Sequence, residues 1–157
     1  MTMQSKTQNG RRCHCTALRK ASRRVSQLYD AVLAPCGLKA TQRAILTQIA
    51  RSEPATVGVL AEALVMDSGG LAHTLKPLVR DGLIAIEVNP DDRRNRLISL
   101  TAAGRARVKH SDRLWEEAQR GFEKSFGTAR SKALREAVDL LTSEQFPNDF
   151  LAAMAAG

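Results

Sequence analysis

The sequence predicts a mainly α-helical protein with a small β-hairpin, an α+β chain in which a compact helical unit carries the hairpin and further helices flank it. Three observations predict this. Apolar residues recur at helical spacing up to about residue 80 and again after residue 101. Between them the period changes to alternation, with Ile84 and Ile86 facing one way and Ile98 and Leu100 facing one way again. The two alternating stretches are joined by Asn89-Pro90-Asp91-Asp92, which is strong turn chemistry.

The elements follow in order. From about Cys15 to Leu33, Leu18, Val25, Leu28 and Val32 recur at helical spacing with Arg19, Lys20, Arg23 and Arg24 between them, and Pro35 and Gly37 close the helix. Thr41 is the expected cap of a second helix reaching about Ala50, with Ile45 and Ile49 on one face. Thr56 caps a short third helix with Leu60 and Leu64 inward. Asp67 stands where an N-cap is needed for a fourth, Ser68 to about Arg80, whose apolar side is Leu71, Leu75, Leu78 and Val79 and whose stop is Gly82. Pro77 lies inside it, removes one N–H and is expected to kink it after its first turns. Thr101 ends the hairpin and caps a long helix carrying Trp115, Ala118, Phe122 and Phe126, and Gly127 breaks it. A last helix carries Leu134, Val138 and Leu141, and Phe146, Phe150 and Met154 repeat every four residues as a final turn or two.

Three short helices followed by a basic hairpin is the order of a winged helix-turn-helix. A helix fits the width of the DNA major groove, so the helix starting at Ser68 would enter it, and the hairpin would reach toward the flanking backbone or minor groove. The expected organisation is a flexible basic tail (1–14), a first dimerisation helix (15–35), the winged helix-turn-helix (36–100) and long dimerisation helices (101–157).

The charge agrees with a polyanion partner. The 157 residues carry a formal charge of +8. Residues 1–113 hold 19 Lys/Arg against 9 Asp/Glu, and residues 114–157 hold 5 against 7, so the basic character belongs to the part that includes the helix-turn-helix and wing. Aromatic residues are only 4% and mostly late in the chain, which argues against base stacking on an aromatic platform. No signal-peptide pattern and no membrane-length apolar run occurs, so a cytoplasmic protein is expected. No GxSxG, P-loop, dinucleotide fingerprint or HExxH occurs, so neither an enzyme nor a cofactor is expected.

The run LAEALVMDSGGLAHTLKPLVRDGLI followed by DDRRNRLISLTAAG resembles the MarR family of bacterial winged-helix transcriptional regulators. Its most specific part is Asp92-Arg93-Arg94 ahead of Leu100-Thr101 and Gly104. The resemblance implies a homodimeric repressor on a near-palindromic operator, with the two recognition helices about 34 Å apart in successive major grooves. It further implies release by a small hydrophobic or aromatic-acid effector bound between dimer helices and DNA-binding lobe.

The recognition-helix candidates for DNA contact are Ser68, Gly69, Gly70, His73, Thr74 and Lys76, with no arginine in the first turn to grip guanine bidentately. Gly69-Gly70 means either a close backbone approach to DNA or a frayed helix start. In the wing, the resemblance assigns Arg94 to the minor groove with Asp92 bracing it through an ion pair, and Arg93 and Arg96 are phosphate candidates. Arg43 and Arg51 are further backbone candidates.

Two alternatives stand beside this reading. A basic winged helix lacking guanine-reading arginines fits a non-specific architectural DNA-binding protein. A thiol-based peroxide sensor is the other. In register with the organic-peroxide-sensing branch of the family, Cys15 falls at the reactive cysteine and Tyr29 at a tyrosine that hydrogen-bonds it, whereas the branch's second tyrosine falls at Ala40. Arg12, Arg19 and the helix N-terminus would favour the thiolate. Cys13, His14 and Cys15, with Cys36, do not have a standard zinc spacing, and no metal is assigned.

Overall fold

The computed structural model describes residues 13–156. Arg12 and all but the end of the expected tail lie outside the described residues. The chain divides into two compact units, one ending at Trp115 and the other starting at Glu116.

The first unit contains α1 (His14–Leu33), a 3-10 turn (Ala34–Cys36), α2 (Ala40–Ser52), α3 (Val57–Ala63), α4 (Ser68–Arg80), β1 (Ile84–Val88), β2 (Arg96–Leu100) and the start of α5 (Ala102–Phe126). Helix α1 begins one residue inside the expected tail, because Cys13 serves as its N-cap, its Sγ accepting the Thr16 N–H at 3.5 Å. The pattern Leu18, Val25, Leu28, Val32 is only half used within the chain. Tyr29 and Leu33 are the buried residues of α1, and Leu18 and Leu28 are exposed.

Helix α2 corrects the expected cap. Thr41 lies inside its first turn, and the free N–H groups go elsewhere: Ala40 donates to Asp30 Oδ1 at 2.7 Å and Lys39 to Gln42 Oε1 at 3.0 Å. Asp30 is on α1, so this cap is a tertiary contact that no local pattern announces. Thr56 and Asp67 cap α3 and α4 as expected, accepting from the Val59 and Gly70 N–H groups at 3.3 and 2.7 Å. Between these helices Val65 holds φ +51°, uncommon for a β-branched residue, and Met66 N–H donates to the Ala61 carbonyl at 2.8 Å. Helix α4 continues through Pro77 to Arg80 as one helix, and Asp81 N–H donates to the Pro77 carbonyl at 2.9 Å. Val79, expected inward, is exposed, because Leu71, Leu75 and Leu78 fill the inner side of α4.

The hairpin is antiparallel, with Ile84 opposite Leu100, Ile86 opposite Ile98 and Val88 opposite Arg96. Ala55, just before α3, adds a short bridge to it, exchanging hydrogen bonds with Ile98 at 3.0 and 2.7 Å. Glu53 binds the same strand: its Oε1 accepts the Leu100 N–H at 2.8 Å while Arg105 pairs with its carboxylate at 2.7 Å. At the base of the hairpin, Thr101 Oγ1 accepts the Gly104 N–H at 3.0 Å and donates to the Gly82 carbonyl at 2.6 Å, which caps α5 and ties it to the end of α4. Ile45, Leu46, Ile49, Leu60, Leu71, Leu75, Leu78, Ile98 and Leu100 are buried in one cluster joining helices and hairpin. Burial of each such side chain is worth about 1.5–3 kcal/mol, so the core fixes α4 and the hairpin in one piece.

The second unit holds the end of α5, α6 (Thr128–Leu141) and α7 (Gln145–Ala155). Gly127, at φ +92°, turns the chain between α5 and α6. The final turn or two expected around Phe146 and Phe150 is an 11-residue helix, and none of its residues is buried. Leu134, Val138 and Leu140 of α6 and Phe150, Leu151 and Met154 of α7 are exposed. Ion pairs Arg120–Glu116, Lys132–Glu136 and Arg135–Glu123 all sit at 3.9 Å on the surface and contribute little. No helix among the described residues is long and apolar enough to cross a membrane.

Candidate nucleic-acid interface

Helix α4 buries Leu71, Leu75 and Leu78 and therefore turns Ser68, Gly69, Ala72, His73 and Lys76 outward, all exposed. Two expected contacts are drawn back from that face. Thr74 is half-buried and its hydroxyl donates to the Gly70 carbonyl at 2.9 Å, so its proton is already committed within the helix. Gly70 is also half-buried, and its N–H is the one that Asp67 caps. The helix start is thus held by a charge-assisted cap. The glycines suit that cap sterically: a Cβ at Gly70 would lie 2.8 Å from Asp67 Oδ2, and one at Gly69 would lie 3.2 Å from Oδ1. Ala72 is neither polar nor basic and so was not among the expected contacts, although the helical period that places Leu71 and Leu75 inward also places Ala72 outward.

The wing keeps Arg93, Arg94 and Arg96 exposed. Asp92 does brace it, but not by the expected ion pair. Its Oδ1 accepts the backbone N–H of Arg94 at 3.1 Å and its Oδ2 accepts the Asn95 side-chain amide at 2.8 Å. An Asp in a tight turn reaches backbone two residues ahead more readily than a long side chain folded back over it. The Arg94 guanidinium therefore extends from a fixed base without that tether. Asn89 steadies the other side of the turn, its Oδ1 accepting the Asp91 N–H at 3.0 Å.

Arg43, expected as a DNA-backbone contact, is instead an internal clamp. Its Nε donates to Ser111 Oγ at 2.9 Å, its Nη2 meets Asp112 Oδ1 at 2.8 Å, and its guanidinium lies 4.4 Å from the centre of the Trp115 ring. Tyr29 packs edge-on against that ring with centroids 5.0 Å apart. Residues of α1, α2 and α5 thus meet around one arginine, whose side chain is 11% exposed. Arg51 remains exposed.

Cys13 and Cys15 are exposed, Cys36 is buried, and all three thiols are free. Cys36 donates to the Leu33 carbonyl at 3.0 Å. The Cys13 thiol is held below the ordinary thiol range, chiefly by the Thr16 hydroxyl and then by the Thr16 N–H. Cys15 and Tyr29 are not brought together within one chain: fourteen residues along one helix separate them by about 21 Å. Among the described residues no group of three or more His, Cys, Asp or Glu stands close enough to hold a metal ion.

A family model described as MarR family matches residues 37–95. The chain is 33% identical over 90 residues to an organic hydroperoxide resistance transcriptional regulator of Bacillus subtilis (strain 168), a match covering 57% of this chain and 61% of that protein, less than two thirds of its length. Among solved structures, the M. tuberculosis transcriptional regulator MOSR in complex with DNA superimposes with TM-score 0.75 at 30% identity, covering 92% of this chain and 98% of that one. A mutant MarR from E. coli complexed with operator DNA superimposes with TM-score 0.71 at 24% identity over 78% of this chain and 88% of that one, a likeness of fold.

Proposed function

Since the chain belongs to the MarR family of transcriptional regulators, we propose that it is a sequence-specific double-stranded DNA-binding repressor acting as a homodimer. The observation that carries this reading is the pairing of an open α4 face with three exposed arginines on a braced wing, both anchored in one core. Arg93, Arg96 and Lys76 supply the charge that phosphates require, Arg94 reaches for the minor groove, and α4 presents Ser68 and His73 to base edges. The MOSR structure with DNA supports the same use of this fold.

Dimerisation is supported by apolar residues that the single chain leaves open, Leu18 and Leu28 on α1 and Leu134, Val138 and Leu140 on α6. Covering either set against a second copy removes apolar area that a monomer would expose. A two-fold dimer then presents two α4 helices to a near-palindromic operator. Release would come from a small hydrophobic or aromatic-acid effector that binds the DNA-incompetent state more tightly.

A second reading has Cys15 as the thiol of a peroxide-responsive repressor. It is favoured by the Bacillus subtilis relative's hydroperoxide role and by the exposure of Cys15 in the first turn of α1. It does not use Tyr29 of the same chain.

Gel-shift titration onto the DNA upstream of the protein's own gene tests these readings, run reduced, with cumene hydroperoxide and with aromatic acids. A preference for that DNA of about 10³ over bulk DNA at physiological salt supports the specific repressor, and a ratio near one supports an architectural protein. Peroxide release lost in Cys15→Ser supports the thiol reading, and release that survives the substitution overturns it.

A further inference from the structure

The outward face of α4 lengthens along its axis. Gly69 presents no side chain, Ala72 only a methyl and His73 a short imidazole, whereas Lys76 and Arg80 carry long cations, all of them exposed. Lys76 lies about 10 Å along the axis from Gly69, and Arg80 about 6 Å beyond Lys76. A helix shaped this way enters a groove N-terminal end first, with the short side chains of its first turn nearest the base edges and its cations left at the height of the phosphates. Arg80 pairs with the adjacent Asp81, Nε to Oδ1 at 3.0 Å, on the exposed surface.

Within the inserted part, polar readout is sparse. The Asp67 carboxylate accepts the Gly70 N–H as the helix cap, the Thr74 hydroxyl gives its proton to the Gly70 carbonyl, and Ser68 and His73 are the short polar side chains left exposed. The one apolar group offered to base edges is the methyl of Ala72. In the major groove the one apolar feature of the base edges is the 5-methyl of thymine, so the two match in chemistry and in size.

We propose that Ala72 reads a thymine: its methyl packs against the 5-methyl of a thymine in each half-site, with Gly69 clearing the approach and His73 offering a ring N–H to the neighbouring base edge. The inference rests on the reading of α4 as the recognition helix of a sequence-specific DNA-binding protein. It assigns a base preference to a residue that carries neither charge nor hydrogen bond.

The test begins with selection of binding sites from a random double-stranded library, followed by replacement of each half-site thymine by deoxyuridine, which removes the methyl and keeps every hydrogen-bonding group. The expected result is one thymine per half-site whose replacement weakens wild-type binding about fourfold, the worth of one buried methyl group. In Ala72→Gly that thymine-to-uracil ratio falls to about one, and in Lys76→Ala it stays near fourfold while overall affinity and its salt dependence drop. The replacement is made in the DNA, so the wild-type arm does not depend on the folding of a variant. A ratio of one at every half-site thymine, or an unchanged ratio in Ala72→Gly, overturns the assignment while leaving sequence-specific binding intact. Selection that enriches no sequence overturns the recognition-helix reading, and the assignment with it.

Discussion

Gly104 faces the Leu83 main-chain carbonyl so closely that the oxygen occupies the space a Cβ would need. The same carbonyl accepts the Thr101 N–H at 3.1 Å. One atom thus joins the entry of the hairpin to the first turn of α5, and only a residue without a side chain passes it. Gly104→Ala must push backbone against backbone, because neither partner is the flexible end of a side chain. It is expected to destabilise by about 2–4 kcal/mol, read as a lower urea midpoint with an unchanged slope. Thr101→Val should cost less, since it removes a cap without creating overlap.

The Arg43 clamp gives the second expectation. Arg43→Ala removes two hydrogen bonds and the cation–π contact with Trp115, and leaves the Ser111 and Asp112 partners without it. Stability should fall by about 2–3 kcal/mol. Arg43→Lys should recover less than half, because an ammonium cannot bridge both partners as a planar fork does. The salt dependence of DNA binding should be unchanged in both, and a slope reduced by about one would reinstate Arg43 as a phosphate contact.

For the wing, Arg94→Ala is expected to weaken DNA binding by about 1–3 kcal/mol and to reduce the salt slope by about one. Asp92→Ala keeps all three arginines but releases the Arg94 amide and Asn95. Its effect on affinity should vanish in the Arg94→Ala background if the brace acts through Arg94, so the double-mutant cycle is the deciding measurement.

Alkylation separates the three cysteines. Hydrogen bonds from Thr16 favour the Cys13 thiolate, so more of it is present at neutral pH than for an ordinary thiol. Labelling of Cys13 should therefore set in at lower pH than for a free cysteine, and Thr16→Val should move that onset upward. Cys36, buried and donating to Leu33, should label only on unfolding. Mass-spectrometric mapping of iodoacetamide adducts between about pH 6 and 9 reads all three. Equal onsets for Cys13 in wild type and Thr16→Val would contradict the role of the Thr16 hydroxyl.

Much of the architecture was legible because it is carried by local chemistry. Thr56, Asp67 and Thr101 are caps whose oxygens bond N–H groups three residues ahead, and the alternation of Ile84, Ile86, Ile98 and Leu100 sets the hairpin register. The candidate interface was legible where long cations cluster at a turn, as at Arg93, Arg94 and Arg96. Ala72 was not, since an alanine announces neither charge nor hydrogen bonding, and its meaning comes from the face it occupies.

By itself, then, the sequence determined the order of elements, the caps of α3, α4 and α5 and the winged helix-turn-helix, because period, turn chemistry and capping act within a few residues of one another. Only the tertiary structure decided what depends on partners far along the chain. Asp30 rather than Thr41 meets the start of α2, ten residues away from the Ala40 it binds. Arg43 turns inward to Ser111, 68 residues away, and Asp112, 69 away, although its residue type suggested DNA. An arginine goes where its hydrogen bonds and a ring face are satisfied together, and those partners become neighbours only once the chain has folded.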